Sequence, residues 1–225
     1  MRKHFSIAID GPAGAGKSTV AKAVAKALGA VYLDTGAMYR TMGLYMSDNG
    51  ITGPERIASA SAKPEVQVRF IGDAQHMVLD GTDVTDRIHT PEASLMASKV
   101  SAVPAVRERM VALQRGIAQG HSVVMDGRDI GTKVLPDATL KVFLTASAEV
   151  RARRRYDELS CKGMHEPYEK VLEELIRRDE VDTHREASPL RKAEDAVEVD
   201  CSQMTLEEVV ETVVSLARQA VEGKA

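Results

Sequence analysis

Residues 6–19 of the chain read SIAIDGPAGAGKST, and this stretch determines the fold class. The apolar run up to Ile9 has the length and composition of a buried strand. The segment from Gly11 to Thr19 then matches the pattern G-x-x-x-x-G-K-[ST] and leads into a helical pattern that starts at Lys17. Strand, glycine-rich loop and helix in this order predict a site where backbone N–H groups and the positive helix end surround phosphate oxygens.

The rest of the chain alternates short apolar runs with longer helical patterns. Further buried strands are predicted at residues 30–33, 122–125, 140–144 and 196–199. Helices are predicted at residues 17–28, 37–46, 106–118, 148–159, 168–182 and 206–221. This alternation predicts an α/β fold with a five-stranded parallel sheet and helices on both faces, in a single domain that spans residues 1–225.

One region departs from this alternation. Residues 66–70, 75–79 and 83–85 alternate apolar with polar side chains, and Gly-Asp or Asp-Gly turns separate them. Pro64 and Pro91 mark the edges of the region. We therefore expect a small antiparallel sheet inserted into the parallel core.

Composition excludes several classes of protein. The 225 residues include 30 Lys and Arg against 33 Asp and Glu, a net charge of −3, and 44% are hydrophobic, which argues against a disordered chain and a general nucleic-acid binder. The longest stretch without a charged residue has ten residues, 116–125, whereas a membrane span needs about 20. Cys161 and Cys201 match no disulfide framework or zinc spacing. We expect a cytoplasmic protein without nucleic-acid or membrane partners; its oligomeric state stays open, with a monomer as the simplest case.

The glycine-rich loop is the expected binding site for ATP or GTP with Mg²⁺. Lys17 supplies a point charge for the β- and γ-phosphates, and the Ser18 hydroxyl is a suitable Mg²⁺ ligand. Asp126 ends a predicted strand, where a carboxylate either holds Mg²⁺ or caps the next helix, and both interpretations stay open. The nucleotide-binding set is Gly11, Pro12, Ala13, Gly14, Ala15, Gly16, Lys17, Ser18 and Thr19.

Arginines follow several of the predicted strands. Arg40 and Arg128 come after the second and third strands of the parallel sheet, at the carboxyl edge where ligands bind in such sheets. Arg151, Arg154 and Arg155 lie in the helix after the fourth strand, spaced so that two or three guanidiniums can close over phosphates. Solvated surface charges are the alternative interpretation for both groups.

A second charged helix follows. Arg178, Asp182 and Arg185 are spaced four and three residues apart and share one helix face. The apolar stripe of this helix stops at Ile176, so the face beyond it is a salt-bridged surface or the wall of a polar site. Spacing alone favours the surface.

Four motifs together resemble the bacterial cytidylate kinases, P-loop nucleoside monophosphate kinases that phosphorylate CMP and dCMP. The motifs are IDGPAGAGKS at 9–18, LDTGAMYR at 33–40, MDGRDIGT at 125–132 and PDA at 136–138. The resemblance covers nearly the whole chain. It implies an acceptor-binding insert over residues 62–102 and a lid over residues 152–164.

The resemblance also implies roles for individual residues. Arg40 and Arg128 would hold the acceptor phosphate, and Ser98 and Arg107 would contact the cytosine. The implied substrate-binding set is Thr35, Arg40, Ser98, Arg107, Arg128, Asp129, Arg178, Asp182 and Arg185. The implied catalytic set is Lys17, Arg128, Arg151, Arg154 and Arg155, and Ser18 and Asp126 are the expected Mg²⁺ ligands.

The implied reaction is transfer of the ATP γ-phosphoryl group to a phosphate oxygen of CMP or dCMP. A phosphate monoester has its second pKa near ~6, so this acceptor needs no general base. Two alternatives remain. A kinase for an alcohol such as shikimate would use Asp34 as a base, and a nucleotide-dependent switch would carry an N-K-x-D motif, which the sequence lacks.

Overall fold

A computed structural model describes residues 4–161 and 163–223 of the chain. The strands it contains are β1 (Ser6–Asp10), β2 (Val31–Asp34), β3 (Val66–Ile71), β4 (Ala74–Leu79), β5 (Thr82–Asp83), β6 (Val123–Gly127), β7 (Leu140–Thr145) and β8 (Val197–Asp200). The helices are α1 (Lys17–Leu28), α2 (Thr35–Asp48), α3 (Pro54–Ala60), α4 (Pro91–Ser101), α5 (Pro104–Gly120), α6 (Ala148–Cys161), α7 (Tyr168–His184) and α8 (Leu206–Glu222). A short 3-10 turn covers Thr85–Ile88 and a π-helical turn covers Ile130–Val134.

Five of these strands form a parallel sheet in the order β2-β6-β1-β7-β8. The predicted α/β sheet is confirmed, because each of its strands lies within two residues of the predicted position. β1 occupies the centre, between β6 and β7. The loops after β1, β2 and β6 therefore meet at one edge of the sheet, which brings three of the sequence motifs together.

Helices cover both faces of the sheet, as predicted. Successive side chains of a strand point to opposite faces. Ile7 and Ile9 of β1 belong to the hydrophobic cluster formed with α1 and α8. Ala8 belongs to the cluster on the other face, formed with α2 and α5. Each face is thus closed by its own apolar core.

The inserted region is only partly a sheet. β3, β4 and β5 form the expected antiparallel sheet, but β5 has two residues because the chain turns into the 3-10 segment after Val84. The second half is helical: Thr90 accepts a hydrogen bond from the Ala93 N–H and starts α4, which the sequence analysis missed, as it missed α3. Met77 and Val100 of this region share one core cluster with α2.

The proposed insert, 62–102, thus combines sheet and helix, and the proposed lid, 152–164, covers most of α6 and extends past its last residue, Cys161. Residue 162 of the lid lies outside the described residues. In the part of the chain that the structure describes, no helix has both the length and the apolar character needed to cross a membrane.

Candidate active site

The loop between β1 and α1 has positive φ angles at Gly11, Gly14 and Gly16, and at the first two a side chain would also meet close neighbours. Gly11 has a φ of 150°, and a Cβ there would lie 2.0 Å from the carbonyl oxygen of Leu144. Gly14 has a φ of 74°, and its Cβ would lie 3.2 Å from the Cβ of Arg151. No described side chain caps the first N–H groups of α1. The loop therefore presents backbone donors and a positive helix end to an anion.

Lys17 lies inside this loop. Its side chain is buried, and its Nζ donates a hydrogen bond of 2.6 Å to the carbonyl oxygen of Pro12. Burial, and then the Arg128 guanidinium, lower the pKa of Lys17, while Asp126 and Asp10 oppose that effect. A phosphate placed against the ammonium would favour its charged form.

Asp126 lies beside the loop and binds side chains from two other elements. It accepts hydrogen bonds from the Ser18 hydroxyl at 2.7 Å and the Tyr32 hydroxyl at 2.9 Å. The Thr35 hydroxyl donates to the Asp126 carbonyl oxygen at 2.8 Å. Burial, and then the Asp34 carboxylate, raise the pKa of Asp126. Its partners are hydroxyls, so the helix-cap interpretation of Asp126 is wrong.

Arginines converge on the crevice next to Lys17. Arg40 pairs with Asp34 at 2.8 Å, and Arg128 pairs with Asp182 at 2.8 Å. Partial desolvation, and then Arg128, lower the pKa of Arg178, and Arg40 contributes to the same field. These three guanidiniums therefore share two ion-paired carboxylates, those of Asp34 and Asp182, so guanidiniums are in local excess.

A buried ion pair lies beside Tyr39 of α2. Arg107 pairs with Asp129, and both side chains are only 6% exposed. The Arg107 guanidinium also lies 5.5 Å from the centroid of the Tyr39 ring and donates to the Ser101 carbonyl oxygen. Ser98 lies on α4 one turn before Ser101. Ser98 and Arg107, the two residues predicted to contact the base, are therefore linked through Ser101 at the C-terminal end of α4.

The charged face of α7 borders the same crevice. Asp182 is buried, which rules out the surface interpretation of this residue. Burial raises its pKa, but the Arg128 guanidinium and then Arg185 outweigh that effect, and the net pKa of Asp182 is lowered. Arg185 donates to the Ser188 carbonyl oxygen at 2.6 Å. Among the described residues its buried Nη2 atom has no hydrogen-bond partner.

The three arginines of α6 have separate partners in the structure. Arg151 is buried and donates to the carbonyl oxygens of Ala13 and Ala146 and to Asp179. Arg154 donates to the Sγ atom and the carbonyl oxygen of Cys201. The side chain of Arg155 is 43% exposed and pairs with Glu158. Since α6 packs its Arg151 face against the phosphate-binding loop, Arg151 supports that loop from behind.

This contact leads to a stability prediction. We expect Arg151→Met to lower the free energy of unfolding by about 2–4 kcal/mol, because it removes three hydrogen bonds and leaves Asp179 without its guanidinium. Urea unfolding measures the change. Arg155→Met, at the exposed position on the same helix, should change it by less than about 0.5 kcal/mol. Equal effects of the two substitutions would contradict this role for Arg151.

The structure adds residues that the sequence analysis missed. Asp10 binds the backbone of residues 130 and 131. The Gln75 side chain accepts from the Asp34 N–H at 2.7 Å and donates to the Asp34 carbonyl oxygen at 3.2 Å. Asp179 accepts from the Ala13 N–H and from Arg151. Only Asp10 had a usable signal, its place directly before the loop.

The comparisons with known proteins agree on one family. A family model described as cytidylate kinase matches residues 7–219. A cytidylate kinase of Fervidobacterium nodosum is 48% identical over 216 residues, 96% of this chain and 97% of that protein. A cytidylate kinase of Caldanaerobacter subterraneus subsp. tengcongensis is 51% identical over 220 residues, 97% of this chain and 96% of that protein.

A solved structure resembles the fold alone. It is the crystal structure of an uncharacterized protein from Eubacterium ventriosum, with a TM-score of 0.54 and 13% sequence identity. The match covers 96% of this chain and 99% of that chain.

Proposed function

Because the chain belongs to the cytidylate kinase family, we propose that it transfers the γ-phosphoryl group of ATP to a phosphate oxygen of CMP or dCMP. It is a nucleoside monophosphate kinase, so its donor and its acceptor both carry phosphate. The observation that carries the proposal is the second cationic group beside the phosphate-binding loop. Arg128 and Arg178 lie within electrostatic reach of Lys17, and Arg40 lies within reach of Arg178. In a chain of net charge −3, such a local excess suits a dianionic acceptor.

The catalytic problem in this reaction is repulsion between two polyanions. The acceptor phosphate is largely dianionic at neutral pH, since its second pKa is about 6, and it is a nucleophile without a base. Lys17 and Arg128 supply positive charge on the donor and acceptor sides of the transferring group. Asp34, the base that an alcohol acceptor would need, is held by Arg40 and by the Ala37 N–H. Its contacts therefore favour a phosphate acceptor.

The residues beside the loop fit Mg²⁺. The Ser18 hydroxyl and the Asp126 carboxylate are 2.7 Å apart and are the hard oxygen ligands that Mg²⁺ prefers. Within the described ranges no group of three or more His, Cys, Asp or Glu residues could hold a metal ion. Mg²⁺ usually binds one or two protein ligands together with substrate phosphates. We assign Ser18 and Asp126 to this site. The ion would neutralise charge on the phosphates it binds.

Asp126 provides a test of this assignment. Asp126→Asn should reduce the turnover rate at limiting Mg²⁺ by about 10–100-fold. The substitution removes the anionic ligand and keeps the shape of the side chain. A titration of the rate against Mg²⁺ should show a higher half-saturating concentration. Asp137→Asn, the same change at an exposed position, should behave like the wild type. A variant at Asp126 with an unaltered Mg²⁺ dependence would remove Asp126 from the site.

The acceptor contacts are part of the same proposal. Arg40 and Arg128 bind the acceptor phosphate in it. Ser98 and Arg107 bind the base, and Asp129 is paired with Arg107. Arg178, Asp182 and Arg185 bind the sugar and base side, and the Thr35 hydroxyl, which donates to the Asp126 carbonyl oxygen, joins the acceptor loop to β6. Two features support these roles: ion pairs link Arg107 to Asp129 and Asp182 to both Arg128 and Arg185, and Arg185 leaves a buried donor atom unpaired among the described residues.

An acceptor panel tests the proposed function. ADP formation is followed with ATP, Mg²⁺ and one of CMP, dCMP, UMP, AMP, GMP or shikimate, beside a control without acceptor. We expect the highest turnover with CMP and dCMP. Turnover confined to shikimate would make Asp34 a base, and ADP release independent of any acceptor would indicate a hydrolytic switch. Either result would reject the proposal.

A further inference from the structure

One buried carboxylate links the donor side of the site to the acceptor side. Asp10, the last residue of β1, is 5% exposed. Its Oδ1 atom accepts a hydrogen bond from the Ile130 N–H at 2.8 Å, and its Oδ2 atom accepts one from the Gly131 N–H at 2.7 Å. Both oxygens therefore accept hydrogen bonds from the first two N–H groups of the π-helical turn after β6.

Because of its position in the chain, Asp10 connects two segments of the site through these two hydrogen bonds. The next residue, Gly11, begins the phosphate-binding loop. On the other side of the bonds, Ile130 follows Arg128 and Asp129, which we place on the acceptor. Asp10 is also paired with Gly127 in the sheet register. One residue thus joins the start of the donor loop to the segment that carries the acceptor arginine.

Lys141 also packs closely against this turn. A Cβ on Gly131 would lie 3.1 Å from the Cδ atom of Lys141 and 3.4 Å from the Oδ2 atom of Asp10. Lys141 is itself buried and paired with Asp195 at 2.8 Å. The side chains of Lys141 and Asp10 therefore both pack against Gly131, and they leave no free space for a side chain at this position.

The charges around Asp10 fit a bridging role. Burial raises the pKa of Asp10 to about 6, and the nearby Asp129 carboxylate acts in the same direction, while the two backbone N–H groups and Lys17 lower it. The carboxylate thus faces Lys17 from the donor side and Asp129 from the acceptor side.

We propose that Asp10 is a positioning residue that holds the phosphate-binding loop and Arg128 at the separation that phosphoryl transfer requires. This inference rests on the proposed function. Phosphoryl transfer needs the reacting atoms about 3–3.5 Å apart and in line, and a misplacement of about 1 Å costs on the order of 100-fold in rate. Each substrate keeps its own binding residues when Asp10 is changed, so the loss falls on kcat.

Asp10→Asn tests the proposal. The amide keeps the shape of the side chain, but its NH₂ group faces one of the two backbone N–H groups, and that hydrogen bond is lost. With ATP and CMP we expect kcat to fall about 30–100-fold, with each KM within about threefold of the wild type. The ratio of ADP to CDP should rise above one, because water competes when the acceptor is misplaced. Asp10→Ala avoids the donor clash and should show the same pattern if the amide variant does not fold.

The matched control is Val134→Ala, which removes buried methyl groups from the same turn without touching the two bonds. It should lower Tm and leave kcat unchanged. A folded Asp10 variant with wild-type kcat would overturn the proposal, and so would a kcat loss that Val134→Ala reproduces at equal Tm. Wild-type turnover with CMP in the same assay separates failure of the proposed function from failure of this inference.

Discussion

Lys17→Met should lower kcat with ATP and CMP by about 100–1,000-fold, the cost typical of removing one charge-stabilising donor from a closed site. The Lys17 ammonium is buried in the phosphate-binding loop, so no solvent ion replaces it during transfer. Methionine has a similar length and no charge. Because burial and Arg128 already lower the pKa of Lys17, we expect the neutral side chain to be tolerated by the fold. Initial rates at saturating substrates measure the loss.

Lys26→Met is the control for this substitution. Lys26 lies in the last turn of α1 and is exposed, so the same chemical change there should leave kcat within about twofold of the wild type. A Lys17 variant that is folded by circular dichroism and keeps more than a tenth of the wild-type kcat would show that transfer does not depend on this ammonium.

Arg128→Met should lower kcat/KM for CMP by about 100–1,000-fold. The half-buried guanidinium pairs with Asp182 and faces the crevice beside Lys17, so its loss removes a phosphate ligand and leaves the buried Asp182 carboxylate without its hydrogen-bonded partner. Together these effects are worth about 3–4 kcal/mol, and each 1.36 kcal/mol is about tenfold. The Kd for ATP, measured by calorimetry without acceptor, should change little.

Arg87→Met provides the comparison, because Arg87 is also paired with an aspartate, Asp48, but 56% of its side chain is exposed and it lies outside the site. This variant should keep the wild-type kcat/KM. If Arg128→Met weakened ATP binding and left the KM for CMP unchanged, Arg128 would belong to the donor side and the acceptor assignment would be wrong.

The core of the fold was predictable because its signals are local. The G-x-x-x-x-G-K-[ST] spacing forces a strand before it and a helix after it, and α1 begins and ends at its predicted residues. α4 was missed because it lies in a region whose preceding segments alternate apolar with polar residues, and the Thr90 cap was not recognised. A cap of one residue is a weaker signal than a periodic strand.

The direction of side chains was harder to predict. The spacing of Arg151 and Arg155 shows that they share one face of α6, but the rotation of α6 is set by packing of Ala152 and Leu175 against Ala13. This packing places the Arg151 side chain against the phosphate-binding loop. Asp10 binds N–H groups 120 and 121 residues away, and no local pattern encodes such a contact.

The central claim is that the group accepting phosphate is itself a phosphate, and ³¹P NMR of the product tests it most directly. The purified protein is incubated with ATP, Mg²⁺ and CMP, and the spectrum is recorded as ATP is consumed. The account predicts that the coupled diphosphate signals, to which ADP and CDP both contribute, grow by two equivalents for each ATP consumed, while the CMP monoester signal falls by one equivalent. A new uncoupled monoester signal, or inorganic phosphate in place of CDP, would contradict it.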